Sequence, residues 1–361
     1  MVSRVLRAWP AWSGYAAAAW SLLYGLAGLY WSLGGAAYPY AAEVEDLSAG
    51  SVLEPSRAEV VGPFIAAVGA VGAICGVLAA RRWGSGVSRR VLLGLAWAQA
   101  VAFTALIPDY TIIALIAFAP ALLVFAFTGV PGPQEGIGDI IYWHRGNLII
   151  VFIGGLLWAL AALSYQRRTR HACERCGRDD RPASHLTSPA SAMRWGRWAV
   201  WIALAATIPY DLTRLAWYFG YPLGITPEFL TDMQNTPGML EMGLALGVAS
   251  GIGSVLSHGL VARWGEVWPR WVPFKAGRRI HPATVIIPAA TVSIALVPGG
   301  MMGFHQLTSW ETWGVVGPVL LWAVWGLALG AATLGYHLRR RGRCHACGRG
   351  STPVERLVQA A

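Results

Sequence analysis

The chain has 361 residues, of which 55% are hydrophobic and 13% are charged, with a formal net charge of +10. Soluble domains usually carry about 25% charged residues, so the composition argues against an ordinary soluble protein. The arginines stand in short clusters beside apolar segments, which argues against a nucleic-acid partner. Apolar runs of about 20 residues recur along the whole chain, the pattern of membrane-spanning helices. We therefore predict an all-α, polytopic membrane helical bundle in the cell membrane, with the lipid bilayer as its surrounding.

Eight segments are predicted to span the membrane: 11–35, 58–80, 88–108, 146–167, 197–220, 239–262, 282–303 and 313–337. No signal-peptide cleavage pattern follows the first of them, so it is expected to stay as an anchor. Segment 110–129 is also apolar enough to span, but an extra crossing there would turn the later arginine clusters outward. We expect it to be re-entrant or to lie against the bundle, and nine spans remain the alternative.

Basic residues are confined to alternate loops. Of the 28 lysines and arginines, all but Arg57, Arg145 and Arg214 lie before span one, after span eight, or in the loops that follow spans two, four and six. The remaining loops are acidic instead, at Glu43, Glu45, Asp46, Glu54, Glu228 and Asp232. The positive-inside rule therefore predicts that the N and C termini are both cytoplasmic.

The sequence contains an internal repeat. "SLLYGLAGLYWSLG" (21–34) aligns with "TIPYDLTRLAWYFG" (207–220), and "LAARRWG" (78–84) aligns with "LVARWG" (260–265). We predict two parallel four-helix repeats, related by an axis along the membrane normal. Their predicted extents are 1–178 for the first repeat with its Cys-x-x-Cys tail, 179–193 for a cytoplasmic linker, 194–349 for the second repeat with its tail, and 350–361 for a disordered tail.

Each repeat ends in arginines followed by Cys-x-x-Cys-Gly, as "RRTRHACERCGR" and "RRRGRCHACGRG". Two such motifs supply four thiolates, the ligand set of a structural zinc ion. We predict that Cys173, Cys176, Cys344 and Cys347 meet as one zinc site on the cytoplasmic side, with the neighbouring arginines lowering the thiol pKa values. A pair of redox-active dithiols and two tails without a metal are the alternatives.

Charged and aromatic residues gather near the outer end of the predicted spans. Asp211 and Arg214 share one helix face in span five, where pairing would reduce the cost of burying charge. Trp217, one turn further on, is placed to stack on the guanidinium. We predict an outward-facing ligand pocket from Asp211, Arg214, Glu241, Trp217, Asp109, Arg145 and His305. The competing interpretation is that Arg214 extends to the lipid headgroups with Asp211 as its partner.

The segments "YDLTRLAWYFGYPLG", "RWGEVWPRWVP" and "RRTRHACERCGR" resemble a group of multi-pass membrane proteins from GC-rich bacteria that has no assigned activity. That resemblance implies membrane placement and carries over no functional residue. Nucleotide-binding and hydrolase motifs are absent from the sequence, which disfavours an enzyme. We expect a transporter, or a module that binds a small molecule or ion. A non-transporting scaffold, or a sensor of metal or redox state, is the alternative.

Overall fold

A computed structural model describes residues 8–41, 50–128, 142–180, 185–306 and 311–350. The acidic positions 43, 45 and 46 and the predicted tail from 351 onward lie outside these ranges. Within them the fold is all-helical, as predicted, and an isolated bridge between Val267 and Arg279 is the one strand-like pairing. The α-helices are α1 (Trp9–Ser32), α2 (Ala58–Ala80), α3 (Gly86–Val101), α4 (Thr111–Thr128), α5 (Trp143–Thr169), α6 (Pro189–Tyr218), α7 (Pro227–Asn235), α8 (Met239–His258), α9 (Pro282–Gln306) and α10 (Trp313–Arg340).

Five of these helices, α2, α5, α8, α9 and α10, are long and apolar enough to cross a membrane. Helix α3 continues through a π-helical turn to Leu106, and the chain then bends by 63° into α4. Together these two qualify as a sixth candidate, either a broken span or a re-entrant loop. Helices α1 and α6 fall outside this group. Tryptophan, tyrosine, glycine and serine lower the mean hydropathy of α1, and α6 also carries charged residues.

The chain divides into two compact units. The first comprises Met1–Arg181 together with Gly342–Ala361, and the second comprises Pro182–Arg341. The C-terminal Cys-x-x-Cys segment, which follows α10 in sequence, therefore belongs to the first unit.

In the first unit, α1, α2, α3 and α5 surround a core of small residues and large aromatic rings. Trp158 is fully buried, and its indole N–H donates to the Ser21 hydroxyl at 3.0 Å. Helix α2 packs on α1 through glycines. A Cβ added to Gly69 would lie 2.4 Å from the Cα of Gly25, and one added to Gly76 would lie 2.8 Å from Ala18. Such close backbone approach is the packing that small residues permit in lipid.

In the second unit, α10 packs against both α6 and α9, and α8 packs against α6. Close approach again uses glycine, since a Cβ on Gly326 would lie 2.7 Å from the Ser293 carbonyl oxygen. The Ser293 hydroxyl donates to the Gly326 carbonyl at 2.7 Å. Gly251 of α8, by contrast, has no atom within 4 Å of an added Cβ. Gly243 and Gly247 of α8 lie at ordinary contact distance from a side chain of α6, whereas the glycines of α2 make close backbone contacts.

Helices α1 and α6 end in the same way. Gly34 and Gly220 both have positive φ, 86° and 83°. The following N–H donates back to a helix carbonyl in each case, from Gly35 to Tyr30 at 3.0 Å and from Tyr221 to Ala216 at 2.9 Å. This is a Schellman C-cap, which glycine permits because it has no Cβ.

The last long helix of each unit also makes an equivalent contact. The Tyr165 hydroxyl on α5 donates to the Trp83 carbonyl, and the Tyr336 hydroxyl on α10 donates to the Gly265 carbonyl, each at 2.7 Å. Both accepting carbonyls lie in the segments that aligned as "LAARRWG" and "LVARWG".

Candidate metal centre

The four cysteines of the two Cys-x-x-Cys segments lie together in the first unit. Their Sγ atoms are all within 4.8 Å of one another. Cys173 and Cys344 have Sγ atoms 4.0 Å apart, and Cys176 and Cys347 have Sγ atoms 3.6 Å apart. A tetrahedral zinc ion with Zn–S bonds of about 2.3 Å separates its sulfurs by about 3.8 Å. The two separations bracket that value and are far too long for disulfide bonds.

Both Cys-x-x-Cys loops have the same backbone conformation. The N–H of Gly177 donates to the Cys173 carbonyl at 2.7 Å, and the N–H of Gly348 donates to the Cys344 carbonyl at 2.8 Å. The two glycines have φ values of 71° and 70°. That left-handed conformation is where glycine is favoured, so the Cys-x-x-Cys-Gly sequence is explained by the turn it must form.

Arginines beside the cysteines form hydrogen bonds that hold the two Cys-x-x-Cys loops in place. The Arg178 guanidinium donates to the Arg349 carbonyl at 2.9 Å, and the Arg349 guanidinium donates back to the Arg178 carbonyl at 3.2 Å. Arg349 also pairs with Asp180 at 2.5 Å. On the other side of the first loop, Arg167 at the end of α5 donates to the Glu174 carbonyl at 2.8 Å. The basic residues therefore act as a supporting shell around the sulfurs.

The thiols differ in how readily they lose a proton. Burial raises the pKa of Cys344, but N–H groups of Ala346 and Cys347 stabilise its thiolate and lower the pKa to about 6. Burial likewise opposes ionisation of Cys173, yet backbone N–H groups bring its pKa below the ordinary value. Burial, followed by the neighbouring thiols, raises the pKa of Cys176 to about 12. Among the groups that lower the thiol pKa values, backbone N–H groups have the largest effect. The sequence had suggested the neighbouring arginines for this role.

The residues predicted to form a ligand pocket fall into both units. Asp109 and Arg145 belong to the first unit and Asp211, Arg214, Trp217 and Glu241 to the second, while the side chain of His305 lies outside the described part of the chain. An open surface depression in the first unit is lined by Tyr38, Ala41, Pro55, Ser56, Arg57, Ala58, Glu59 and Val60. None of the predicted pocket residues lines it.

Asp109 and Arg145, both in the first unit, contact residues near the starts of α4 and α5. Asp109 is 1% exposed, and its carboxylate accepts the Thr111 N–H at 2.8 Å. Arg145 donates to the Tyr110 hydroxyl at 3.4 Å and lies over the Tyr142 ring. Asp109 therefore forms an Asx-turn just before α4, an arrangement that needs no ligand.

In the second unit, Arg214 is held by aromatic rings. Its guanidinium lies 4.3 Å from the ring centroids of Tyr210 and Trp217, so the stacking on Trp217 is present as expected. It also donates to the Gly314 carbonyl at 3.2 Å. Within the described ranges no carboxylate pairs with Arg214. Asp211 shares its helix face but does not form the expected ion pair, and Glu241 is exposed.

A buried polar network in the first unit was not foreseen. The His144 ring is 2% exposed; it pairs with Glu54 through Nε2 and contacts the Pro39 carbonyl through Nδ1 at 2.6 Å. Nearby, the Tyr24 hydroxyl contacts the Tyr40 hydroxyl at 2.9 Å. The pairing of His144 with Glu54 joins residues 90 positions apart, and no local sequence pattern signals it.

No protein-family model, curated protein or solved structure matches the chain.

Proposed function

We propose that the protein is a multi-pass integral protein of the cell membrane, stabilised by one structural zinc ion bound to Cys173, Cys176, Cys344 and Cys347. The observation that carries the proposal is the four-sulfur cluster, whose members come from two segments 171 residues apart in sequence. Four thiolates saturate a tetrahedral ion, and a site with no open position is structural rather than catalytic.

Zinc is proposed over other metals because thiolates select soft or borderline ions, and a cytosolic location keeps cysteines reduced. Iron can occupy the same four-sulfur arrangement, so the experiment must distinguish the two. Loss of the metal is expected to release the segment after α10 from the end of α5, since both loops depend on the same ion.

Elemental analysis of the full-length protein, purified in detergent, tests this directly. We expect about one zinc per chain. A Cys344→Ser, Cys347→Ser double variant is expected to lose the zinc, and Cys75→Ser, which changes a buried cysteine in α2, is the matched control that keeps it. Zinc far below one per chain, iron in its place, or metal retained by the double variant would refute the zinc site.

We also propose that the chain is built of eight spans in two parallel repeats, with both termini cytoplasmic. The matched Schellman caps at Gly34 and Gly220, the matched tyrosine bonds of Tyr165 and Tyr336, and the two alike Cys-x-x-Cys loops support the repeat. The proposal includes α1 and α6 as spans, with their aromatic residues facing protein or interface. Impermeant thiol labelling of cysteines introduced after each helix, in intact cells, tests the orientation.

A second candidate function is transport or binding of a small molecule or ion at α6. It is favoured by one observation, that the charged residues Asp211 and Arg214 both lie on α6 but do not pair with each other, because Arg214 stacks on Tyr210 and Trp217. Ligands that bind the folded state raise its melting temperature. A screen for compounds that stabilise the wild type but not Asp211→Asn or Arg214→Gln would identify the ligand. If thermal stabilisation responds only to zinc, the scaffold or metal-sensing alternative is favoured instead.

A further inference from the structure

The connection between α8 and α9 contains a hairpin, residues 266–280, within the longer segment 259–281. The connection that aligns with it in sequence, between α2 and α3, has only residues 81–85. The hairpin has a defined backbone, since the Trp268 N–H donates to the Arg278 carbonyl at 2.9 Å. Because α8 and α9 are both candidate spans, the base of the hairpin lies where two spans end.

The base of the hairpin is fixed to the end of α10. Glu266 pairs with Arg339 at 2.8 Å and with Arg340 at 3.7 Å. The Arg340 guanidinium also donates to the carbonyl of Ile280, whose side chain is buried. The tip of the hairpin therefore projects from a base that is held in place, and the one carboxylate in the hairpin is already paired.

Two aromatic side chains at the tip of the hairpin face away from the protein. Trp271 is 82% exposed and Phe274 is 94% exposed. Phe274 also has a φ of 63°, a conformation that bulky residues rarely adopt. Strained residues of this kind are found where the strain serves binding or another function. Since the two rings gain little packing within the protein, they point to a partner outside the chain.

Four basic residues flank these rings in sequence: Arg270, Lys275, Arg278 and Arg279. All four are exposed, and none forms an ion pair within the described part of the chain. The hairpin therefore presents a surface that is both apolar and positively charged. Aromatic rings favour the boundary between lipid and water, and clustered cations beside a span favour anionic headgroups. A bilayer that contains anionic lipid matches both properties.

We propose that the hairpin is a binding site for anionic phospholipid headgroups, with Trp271 and Phe274 inserted at the surface of the bilayer. The four cations pair with the lipid phosphates, and the two rings exchange their contacts with water for contacts with lipid. This inference rests on the proposed membrane placement and is independent of the zinc centre.

Electron spin resonance of the full-length protein in phosphatidylcholine vesicles tests the proposal. The vesicles contain a trace of spin-labelled phosphatidylglycerol or of spin-labelled phosphatidylcholine, and the motionally restricted fraction of each label is compared. The wild type is expected to bind phosphatidylglycerol at least about fivefold more strongly, the contribution of one cation near an anionic surface.

A variant with glutamine at the four basic positions of the hairpin should lose most of this preference. The matched control removes the same charge from exposed positions in the other predicted cytoplasmic clusters and should keep most of it: Arg81→Gln, Arg90→Gln, Arg194→Gln and Arg197→Gln. Zinc content and melting temperature are measured on each preparation, so misfolding of a variant is detected separately.

Phe274→Gly separates membrane insertion from a structural role. Glycine adopts a positive φ without strain, so the melting temperature in detergent should stay the same or rise. The same variant should lose part of the preference for phosphatidylglycerol, because the cations are then held less closely to the bilayer. Ala276→Gly, at an exposed position in the same hairpin, is the control and should keep the full preference.

Equal restriction of the two labels by the wild type, or equal losses in the glutamine variant and its control, would overturn the inference. Hairpin variants that keep the lipid preference but change the oligomeric state would assign the tip to a second copy of the chain and also overturn it. Failure of the protein to enter vesicles would refute the membrane placement itself, whereas entry without a lipid preference rejects the lipid site alone.

Discussion

The packing of α1 on α2 differs from the packing of α6 on α8, although the sequence aligns α1 with α6. Gly25 of α1 meets the backbone of Gly69 directly, whereas the aligned residue Asp211 meets the Ser250 side chain. Gly28 of α1 lies against Ile65, while the aligned Arg214 lies against Gly247.

This difference shows how two related helix pairs can serve different purposes. In the first pair the small residues let the backbones touch, and the interface is tightly packed and uncharged. In the second pair two charged side chains, Asp211 and Arg214, occupy the equivalent positions, and these side chains rather than backbone meet α8. We interpret the first pair as structural and the second as the candidate binding region.

The largest effect is expected at the tight interface. An added Cβ at Gly69 would lie 2.4 Å from the Gly25 Cα and 2.6 Å from the Ser21 carbonyl oxygen, and backbone atoms cannot yield easily. Gly69→Ala should therefore destabilise the protein by about 1–3 kcal/mol, the usual cost of overpacking. Unfolding in detergent micelles measures it. Gly251→Ala, where an added Cβ meets nothing within 4 Å, is the control and should leave stability unchanged or slightly raised.

If Gly251→Ala proved as costly as Gly69→Ala, the loss at Gly69 could not be assigned to its close contact with Gly25.

A smaller effect is expected at Arg214, whose planar guanidinium stacks on two rings. Arg214→Lys keeps the charge but loses that planar contact, so it should lower the free energy of unfolding by about 1–2 kcal/mol. Thermal unfolding measures the change. Arg270→Lys, at an exposed position, is the control and should have no measurable effect. Equal stability of the wild type and Arg214→Lys would contradict the role assigned to the two rings.

The smallest effects are expected for the tyrosine hydrogen bond that occurs in both units. Tyr165→Phe and Tyr336→Phe each remove one hydroxyl that donates to a backbone carbonyl at 2.7 Å. Each variant should lose about 1 kcal/mol of stability, because a single neutral hydrogen bond is removed. Chemical unfolding of both variants, side by side, checks whether the losses agree. A loss in one variant alone would weaken the equivalence of the two repeats.

Much of this architecture could be predicted from sequence because its signals are local. Runs of apolar residues predicted helices, and the Cys-x-x-Cys-Gly spacing predicted two loops suited to a shared metal ion. The loop glycines Gly177 and Gly348 were recognisable because a tight turn demands their residue type.

The stacking of Arg214 on Trp217 was predicted from helical spacing, but the same spacing placed Tyr210 and Asp211 equally within its reach, and the sequence favoured Asp211 wrongly. The acceptor at Gly314 lies 100 residues away in sequence. Nor does the sequence indicate that Ser250 meets Asp211 while Ser254 meets Thr207, since the two serines differ only in what they face. The pairing of His144 with Glu54 likewise depends on how separate segments meet.

X-ray absorption at the zinc edge of the purified wild-type protein tests the central claim most directly, because it reports the ligands of the ion as well as its identity. The account predicts four sulfur ligands at about 2.3 Å and no nitrogen or oxygen ligand in the first shell. A spectrum dominated by nitrogen or oxygen ligands, or no zinc signal from freshly purified protein, would contradict it.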